Sequence, residues 1–304
     1  TGEGADEILG GYDLFKETKI RRFWARNPSS SWRPLLLKKL YQHIPNWPRR
    51  APAYLEAFYK THLHKTDSVY YSHMPRWDTT SAIKTFYSAE MKHALNGHDS
   101  ISDIIATLPG DFQKRDTLSQ AQYLESATIL SGNLLSSQGD RMAMAHAVEG
   151  RYPFLDYRVV EFAFSLPSHL KIRGLNEKYL LKRIAAPYLP QAIRKRVKQA
   201  YRAPDSASFL KSGPLPYVDE MISRQQLSQR GYFDPAAVDI LMTKCRKSDQ
   251  SLISTKHNMS VTAIITTMLL DRLFVQDFKH TSLDRSAAIL VIDERHNGRS
   301  HASA

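Results

Sequence analysis

The sequence contains a single cysteine, Cys245, among 304 residues. One cysteine excludes a disulfide within the chain and any metal site built from several thiolates. Long apolar runs are also missing: 261–270 and 287–292 fall short of the roughly 18–20 residues that cross a bilayer. The first residues do not resemble a secretory signal. These absences predict a soluble, cytoplasmic protein that lies in no membrane.

Acidic residues are outnumbered, since 30 Asp and Glu face 42 Lys and Arg, for a formal charge of +12. The excess is concentrated in the segment 16–65, called here the basic segment. It holds twelve basic residues and two acidic ones, a net charge of +10, together with eight aromatic residues. Such a mixture is typical of nucleic-acid binders. The alternative is a set of amphipathic helices with basic solvent faces and aromatic core anchors. We favour the alternative, because no nucleic-acid-binding signature accompanies the charge.

Strand patterns are scarce, and helical periodicity dominates the chain. The predicted helices are 53–60, 80–95, 118–135, 158–165, 177–188, 235–247 and 258–274. Asn96-Gly97 is a helix-stop pair, and Asp234 before Pro235 is a helix-start signal. Beyond His280 the chain becomes polar. The sequence therefore predicts a mainly α fold, with one domain over 1–280 and a polar tail over 281–304.

The chain opens on the sequence TGEGADE, in which glycines alternate with carboxylates. Gly2 and Gly4 allow the backbone to turn sharply, so that its N–H groups can approach an anion. The Asp6 carboxylate suits Mg²⁺, and Glu3 is a possible base. The alternative is structural: Asp6 and Glu7 would merely favour the first turn of a helix through its dipole.

A second cluster, residues 140–156, reads DRMAMAHAVEGRYPFLD. Asp140 stands beside Arg141, and Glu149 near Arg151, around a methionine-rich stretch. This pattern predicts a buried ion-pair network that braces a site. His146 has no neighbouring catalytic partner in the sequence, so we interpret it as a helix histidine rather than a general base.

A third cluster, residues 189–204, reads LPQAIRKRVKQAYRAP. It places five cations within nine residues, between two prolines. Such a set could clamp a phosphate or a pyrophosphate. A solvated basic face is the alternative when the charge run is considered alone.

Taken together, the motifs carry a resemblance to a known family. The chain contains, in this order, TGEGADEILGGY, DRMAMAHAVEGRYPFLDYRVVEFAFSLP, a segment in which a glycine separates two lysines, and LPQAIRKRVKQAYRAP. In this order they resemble the synthetase domain of glutamine-dependent asparagine synthetases. The resemblance covers roughly residues 1–204, and the helical remainder to about residue 275 is compatible with it. It implies the C-terminal, largely helical part of an α/β ATP-pyrophosphatase-type domain, which is adenine nucleotide alpha hydrolase-like.

The resemblance also implies a reaction and roles for single residues. ATP would adenylate the β-carboxylate of aspartate with release of pyrophosphate, and ammonia from glutamine would displace AMP to give asparagine. Thr1 and Gly2 would line the ATP site, and Glu3 would serve formation and attack of the adenylate. Asp6 would share Mg²⁺ with an aspartate outside this chain. Lys198 would neutralise charge on the α-phosphate and pyrophosphate. The residues implied to support the pocket are Asp140, Arg141, Glu149, Arg151 and Asp156.

Two features of the family do not occur in this sequence. They are the pyrophosphate loop, Ser-Gly-Gly-x-Asp-Ser, and the glutaminase domain with its N-terminal cysteine; Cys245 stands in another context. We therefore expect a C-terminal fragment that is inactive alone and has the glutaminase domain as its partner. A homodimer is left open.

The acceptor substrate has two candidate readings. Lactam-forming relatives carry tyrosine where Glu3 stands, so Glu3 favours the branch that makes asparagine. The alternative is a family amidotransferase that amidates another carboxylate in a natural-product or polysaccharide pathway. The basic segment favours that divergence.

Overall fold

The structure is a computed structural model that describes residues 1–42, 52–199, 205–210, 215–248 and 253–278. It is 67% helical, and no strand occurs among these residues. The prediction of a mainly α chain is confirmed. The ATP-pyrophosphatase type of the parent domain stays a prediction, and the proposed tail over 281–304 lies outside the described residues.

Most α-helices of the described part have fewer than ten residues, and 3-10 or π-helical segments lie between some of them. They are α1 (Ala5–Leu9), α2 (Asp13–Ala25), α3 (Pro52–Lys60), α4 (Met74–Ser81), α5 (Ala89–Leu95), α6 (Ser100–Ala106), α7 (Thr117–Glu125), α8 (Arg141–Ala145), α9 (Tyr157–Ser165), α10 (Ser168–Lys171), α11 (Tyr179–Ile184), α12 (Gln191–Arg194), α13 (Asp205–Leu210), α14 (Pro216–Met221), α15 (Arg224–Arg230), α16 (Pro235–Lys247) and α17 (Thr255–Asp271). Arg33–Lys39, Ala82–Phe86, Phe112–Lys114 and Pro153–Leu155 are 3-10 turns, and Ser126–Asp140 and Arg272–Gln276 are π-helical.

Helix α2 lies between two hydrophobic clusters and so organises the N-terminal half. Leu14 and Phe15 pack with Ala121 of α7 in one cluster. Ile20 and Trp24, further along the helix, belong to the other, which includes the 3-10 turn Arg33–Lys39 and α3. Because both faces of α2 are buried, its position is fixed relative to α7, and so is the loop that precedes it.

A third cluster holds the C-terminal helices α14 to α17 together and includes Cys245. Helix α17 and the π-helical turn after it span Thr255–Gln276, and this 22-residue helix is long and apolar enough to cross a membrane, with a mean hydropathy of 1.3. The sequence alone predicts no segment long and apolar enough to cross a bilayer. One face of the helix, with Ile264 and Met268, is buried in the cluster, and 33% of its most apolar 18-residue stretch is buried. That the protein lies in no membrane stays a prediction.

Helix α16 begins and ends where the sequence predicts. The side chain of Asp234 accepts a hydrogen bond from the backbone N–H of Ala237 at 2.8 Å, and Pro235 is the first helical residue. Proline suits this position because its missing N–H would have no partner in the first turn. The predicted stop after α5 is also confirmed, since Asn96 adopts a left-handed conformation with φ 44°.

The prediction of one continuous helix over 80–95 is wrong. The chain is extended at Tyr87, and α5 begins after Ser88, whose Oγ accepts a hydrogen bond from the backbone of Met91 at 2.9 Å. The backbone N–H of Ser88 donates to the carbonyl of Tyr232 at 3.1 Å. The hydrogen bond of Ser88 to the distant loop and the cap that Ser88 forms on α5 therefore interrupt the predicted helix.

The charge of the basic segment predicts cations that face solvent, but Lys16 and Arg21 are buried. Lys16 is buried and its ammonium lies 2.8 Å from Asp13 and 3.0 Å from Glu177. Arg21 is 1% exposed, and its guanidinium donates to the backbone carbonyls of Tyr59, near the end of α3, and of Thr61, just after it. Other cations of the basic segment, such as Lys38, are exposed, in agreement with the predicted basic solvent faces. Residues 43–51 of the segment lie outside the described residues.

Candidate functional site

The opening loop is held against the second motif. Gly4 has φ 87°, and a Cβ at this position would lie 2.2 Å from a methyl carbon of Leu155. Glycine is therefore required both for the left-handed backbone and for the close packing. The backbone nitrogen of Thr1 donates to the carbonyl of Arg151 at 2.9 Å. The structure thus brings together two motifs that lie about 150 residues apart.

Asp6, on the first turn of α1, is the centre of a cluster with two lysines. The ammonium of Lys178 lies 2.8 Å from Oδ1 of Asp6, and that of Lys198 lies 2.8 Å from Oδ2. The Asp6 side chain is only 14% exposed. The first and third motifs therefore meet at one partly buried carboxylate, and the cluster carries one negative and two positive charges.

Lys178 lies just before helix α11 and not within it, and from this position its side chain contacts Asp6. The expected helix 177–188 is wrong at both ends, since α11 covers Tyr179–Ile184. Lys178 precedes it in a left-handed conformation with φ 48°. A Cβ on Gly11 would lie 1.9 Å from Oδ1 of Asp6 and 2.4 Å from Cε of Lys178. Gly11 thus leaves the space in which this ion pair forms.

Tyr12 and Glu7 form the wall behind Lys198. The Lys198 ammonium lies 5.3 Å from the centre of the Tyr12 ring, a cation–π contact. The Tyr12 hydroxyl donates to Oε1 of Glu7 at 2.7 Å. Burial raises the pKa of Glu7, and the nearby charges of Asp6 and Glu3 add to this, although the hydrogen bond from Tyr12 opposes it. Burial, followed by Glu7, also raises the pKa of Tyr12, so Lys198 faces a neutral phenol at physiological pH.

Gln122 of α7 supports this wall from the other side. Its amide nitrogen donates to the backbone carbonyl of Glu7 at 2.5 Å, and its amide oxygen accepts from the ammonium of Lys171 at 3.1 Å. Lys171 is fully buried, and burial lowers its pKa. Sequence reasoning missed these residues. The sequence gives no signal for Gln122 or Lys171, because Gln122 contacts Glu7 across 115 positions and Lys171 contacts Gln122 across 49.

Glu3 lies at the edge of the site, near Tyr152. Its backbone N–H donates to Oγ1 of Thr1 at 3.1 Å. The Tyr152 hydroxyl donates to Asp140 at 3.2 Å. Desolvation raises the pKa of Tyr152, and Asp140 and Glu3 add to the shift, which indicates that both carboxylates act on the same phenol. Three predicted site residues, Thr1, Glu3 and Asp140, thus share one neighbourhood, while Gly2 lies in the turn between the first two.

The prediction of a buried ion-pair network in the second motif is wrong. Glu149 and Arg151 do pair, at 2.7 Å, but their side chains are 74% and 81% exposed. Asp140 and Arg141 are also exposed. Asp140 and Arg141 lie where the π-helix meets α8, and Glu149 and Arg151 lie in the loop after α8; the described residues leave all four on the surface, where charged side chains are normally found. Their role in shaping the pocket stays a prediction.

Two further residues of this motif have structural partners. Asp156 caps helix α9 by accepting from the backbone of Arg158 at 3.0 Å, and it pairs with the guanidinium of Arg158 at 2.8 Å. That guanidinium and the cap lower the pKa of Asp156 to about 2. The Nδ1 atom of His146 lies 2.8 Å from the carbonyl of Met142, one turn earlier, in agreement with a helix histidine.

The described residues do not form a magnesium site around Asp6. Both of its oxygens are within 2.8 Å of an ammonium group. No group of three or more His, Cys, Asp or Glu side chains among the described residues is placed to hold a metal ion. A neutralised single carboxylate is a poor site for a divalent cation on its own. The role of Asp6 in binding Mg²⁺ therefore stays a prediction.

The arrangement favours binding of an anion next to Asp6. Two ammonium groups share a single carboxylate, so the cluster has a net positive charge before any ligand binds. A phosphate group could accept hydrogen bonds from both lysines, because an ammonium group has three donors and a flexible stem. The charge run of the third motif contributes Lys198 to the cluster, while Arg202 lies outside the described residues.

Comparison with known proteins supplies the family. The asparagine synthase family model matches residues 1–270. Asparagine synthetase [glutamine-hydrolyzing] 1 of Bacillus subtilis is 27% identical over 230 residues, which are 74% of this chain and 33% of that protein. A putative asparagine synthetase [glutamine-hydrolyzing] of Mycobacterium bovis is 27% identical over 83% of this chain and 36% of its own length. Amidase chry2 of Gibberella zeae is 26% identical over 77% of this chain and 36% of its own length.

These matches cover much of the chain but only a part of each relative. The chain spans about a third of the length of the curated relatives it matches. No solved structure matches it. The family model covers most of the 304 residues, including all the motifs described above. The chain belongs to the asparagine synthase family.

Proposed function

We propose that the protein is part of an ATP-dependent ligase that adenylates the β-carboxylate of aspartate and converts the adenylate to asparagine. Membership of the family supports an enzyme of the amide ligase kind. The observation that carries the finer proposal is the contact of Lys178 and Lys198 with Asp6, because it concentrates positive charge beside the opening loop. Negative charge develops on phosphate oxygens during adenylation, and preorganised cations stabilise it.

The proposed chemistry has two steps. A carboxylate oxygen of aspartate attacks the α-phosphorus of ATP, the bond between the α-phosphorus and its bridging oxygen breaks, and pyrophosphate leaves with the electron pair. Lys198 and Lys178 turn from Asp6 to the phosphate oxygens and compensate the charge. Ammonia then attacks the activated carbonyl carbon, AMP leaves, and the nitrogen loses a proton. Glu3, which is partly exposed beside Thr1, is suited to accept that proton.

The other components of the reaction are proposed from the family. We propose ATP and Mg²⁺ as the nucleotide and its cation, with Thr1 and Gly2 lining the nucleotide site. The names of the relatives from Bacillus subtilis and Mycobacterium bovis include glutamine hydrolysis. We therefore propose a glutaminase domain as the source of ammonia. The proposed location is the cytoplasm.

A second acceptor substrate is favoured by one finding. Amidase chry2 of Gibberella zeae matches this chain about as well as the asparagine synthetases do. The protein would then amidate another carboxylic acid with the same two steps. Lys178 and Lys198 of the Asp6 cluster would keep their role, since they act on the phosphates and not on the acceptor carboxylic acid.

The experiment uses the complete natural translation product that contains this sequence. It is incubated with ATP, Mg²⁺ and ammonia, first with aspartate and then with a panel of other carboxylic acids, and AMP and the amide product are measured by mass spectrometry. We expect asparagine and AMP in equal amounts with aspartate. Amide formation from another acid alone would support the second substrate, and ATP turnover without any amide product would contradict both.

A further inference from the structure

A cavity of about 690 Å³ lies along helix α2 and includes none of the residues of the site described above. Its walls come from α2, the 3-10 turn Arg33–Lys39, the start of α7 and the loop that contains Gly174 and Leu175. Concave sites of several hundred Å³ with apolar walls and a few polar groups are typical of small-molecule sites. Neither the family resemblance nor the comparisons assign a ligand to this cavity.

Three cations of α2 line the cavity: Lys19, Arg22 and Arg26. They follow one another at intervals of three and four residues, so they project from one face of the helix. The three positions span about 10 Å along the helix axis. This spacing lets two or three of them contact one small ligand.

These cations make few polar contacts among the described residues, although the guanidinium of Arg22 lies 5.0 Å from the centre of the Tyr71 ring. The Nε atom of Arg22 is buried and has no hydrogen-bond partner there. The ammonium of Lys19 has a long contact, 3.5 Å, with the carbonyl of Ile172. Burial lowers the pKa of Lys19 and of Arg22, and Asp67 and Tyr71 offset only part of the effect on Arg22. Residues 43–51, which lie outside the described part, contain no acidic residue.

The cavity also has an apolar wall, formed by Ile20, Phe23, Leu36 and Leu175. A wholly inorganic anion would leave this wall in contact with water. A ligand with an apolar body would cover this wall, and removal of the apolar surface from water would favour its binding. The wall and the cations together therefore fit a ligand that has both an apolar and an anionic part.

We propose that this cavity binds a small organic phosphate, with its phosphate group on Lys19, Arg22 and Arg26 and its apolar body against Phe23 and Leu36. A phosphate monoester has three acceptor oxygens and up to two negative charges, which match several cations better than a single carboxylate does. Arg22 lines the cavity, and its guanidinium carries two terminal nitrogens that can donate to such a ligand.

The test is isothermal titration calorimetry of the 304-residue chain with phenyl phosphate as the probe. We expect a dissociation constant below about 1 mM, and binding at least about fivefold tighter than that of inorganic phosphate, because the ring contacts the apolar wall. Arg22→Gln should weaken binding by about tenfold or more through the loss of charge-assisted hydrogen bonds. Lys19→Gln, at an exposed position, should weaken it as well and avoids any folding defect at Arg22.

Two controls separate this cavity from other basic sites. Lys38→Gln removes an exposed lysine of the neighbouring 3-10 turn that does not line the cavity, and should leave the affinity unchanged. Lys92→Gln, at an exposed lysine of helix α5 that belongs neither to the cavity nor to the Asp6 cluster, should also leave it unchanged. No binding of phenyl phosphate at about 10 mM, or equal affinity in Arg22→Gln, Lys19→Gln and the unchanged chain, would overturn the proposal. Binding of an oligonucleotide without binding of phenyl phosphate would also overturn it.

Discussion

The ammonium of Lys198 lies 2.8 Å from the carboxylate of Asp6, although 192 residues separate them in the sequence. This contact changes the meaning of both residues. In the sequence, Asp6 is a candidate metal ligand and Lys198 a candidate phosphate clamp, and only the family resemblance assigns them to one nucleotide site. In the fold they neutralise each other in part, and Lys178 adds a second cation. A ligand that binds here must compete with Asp6 for the lysines.

The first prediction concerns the space around this cluster. Gly11→Ala introduces a methyl group that would lie 1.9 Å from Oδ1 of Asp6 and 2.4 Å from Cε of Lys178. We expect a loss of about 1–3 kcal/mol in the free energy of unfolding, because the ion pair and the backbone must move apart. Urea denaturation followed by circular dichroism measures this. Gly132→Ala is the matched control: its Cβ meets no atom within 4 Å, and we expect unchanged or slightly higher stability.

The second prediction concerns the pH dependence of stability at Glu177, next to Lys178. Burial alone would raise the pKa of Glu177, but hydrogen bonds and charges from Lys182 and Lys16 outweigh it and lower the pKa below 4.5. The folded state therefore binds the proton less readily than the unfolded chain. The resulting stability is present above pH 4.5 and is lost as the pH falls through the folded-state pKa.

Glu177→Gln removes this contribution. We expect the variant to be less stable than the unchanged chain by about 1–3 kcal/mol at pH 7, with the difference shrinking as the solution is acidified. Denaturant unfolding of both proteins between about pH 7 and pH 3 measures the difference. Glu161→Gln, at an exposed glutamate of α9, serves as the control. A difference that stays constant with pH would contradict the assignment.

The third prediction concerns Glu17, a buried carboxylate of the basic segment that pairs with the partly exposed Arg76 of α4. Glu17 is 2% exposed, accepts two hydrogen bonds from Arg76 at 2.7 and 2.8 Å, and accepts one from Tyr59 at 3.0 Å. Glu17→Gln replaces charge-assisted hydrogen bonds of the buried carboxylate by weaker neutral ones, while Arg76, which is 38% exposed, can still be solvated; we expect a loss of about 1–3 kcal/mol. Thermal and urea unfolding measure it.

A surface pair of similar length is the control for this change. Asp239 lies 2.7 Å from Arg224, but their side chains are 47% and 71% exposed. Asp239→Asn should cost less than about 1 kcal/mol, because water screens the pair and the side chains are mobile. Equal losses at the two sites would show that burial of Glu17 does not set its contribution.

The sequence predicts some helices well because their signals are local. Asp234 before Pro235 starts α16, and Asn96 ends α5, through contacts with residues that lie within a few positions. The predicted helix 80–95 fails at Ser88, which is paired with Tyr232 across 144 positions of the sequence. Periodicity contains no information about such a partner, so this break follows only from the tertiary structure.

In the candidate site, too, the sequence reveals residues with local signals but not those that depend on tertiary contacts. The motif residues Asp6 and Lys198 could be found from the sequence, since glycine-rich carboxylate loops and basic runs stand out. Lys178 could not be assigned a role, because its contact depends on a left-handed backbone and on the missing side chain at Gly11. The buried network of the second motif was wrongly predicted, since opposite charges close in sequence do not establish burial.

The most direct test of the proposed chemistry is isotope exchange between labelled pyrophosphate and ATP, with the complete translation product that contains this sequence. Exchange requires reversible formation of an acyl-adenylate, so it reports the step that Lys198 is proposed to stabilise. We expect exchange that depends on aspartate or on another carboxylic acid, and a decrease of at least about 100-fold in Lys198→Gln. Exchange at an unchanged rate in Lys198→Gln, or no exchange with any carboxylic acid, would contradict the account.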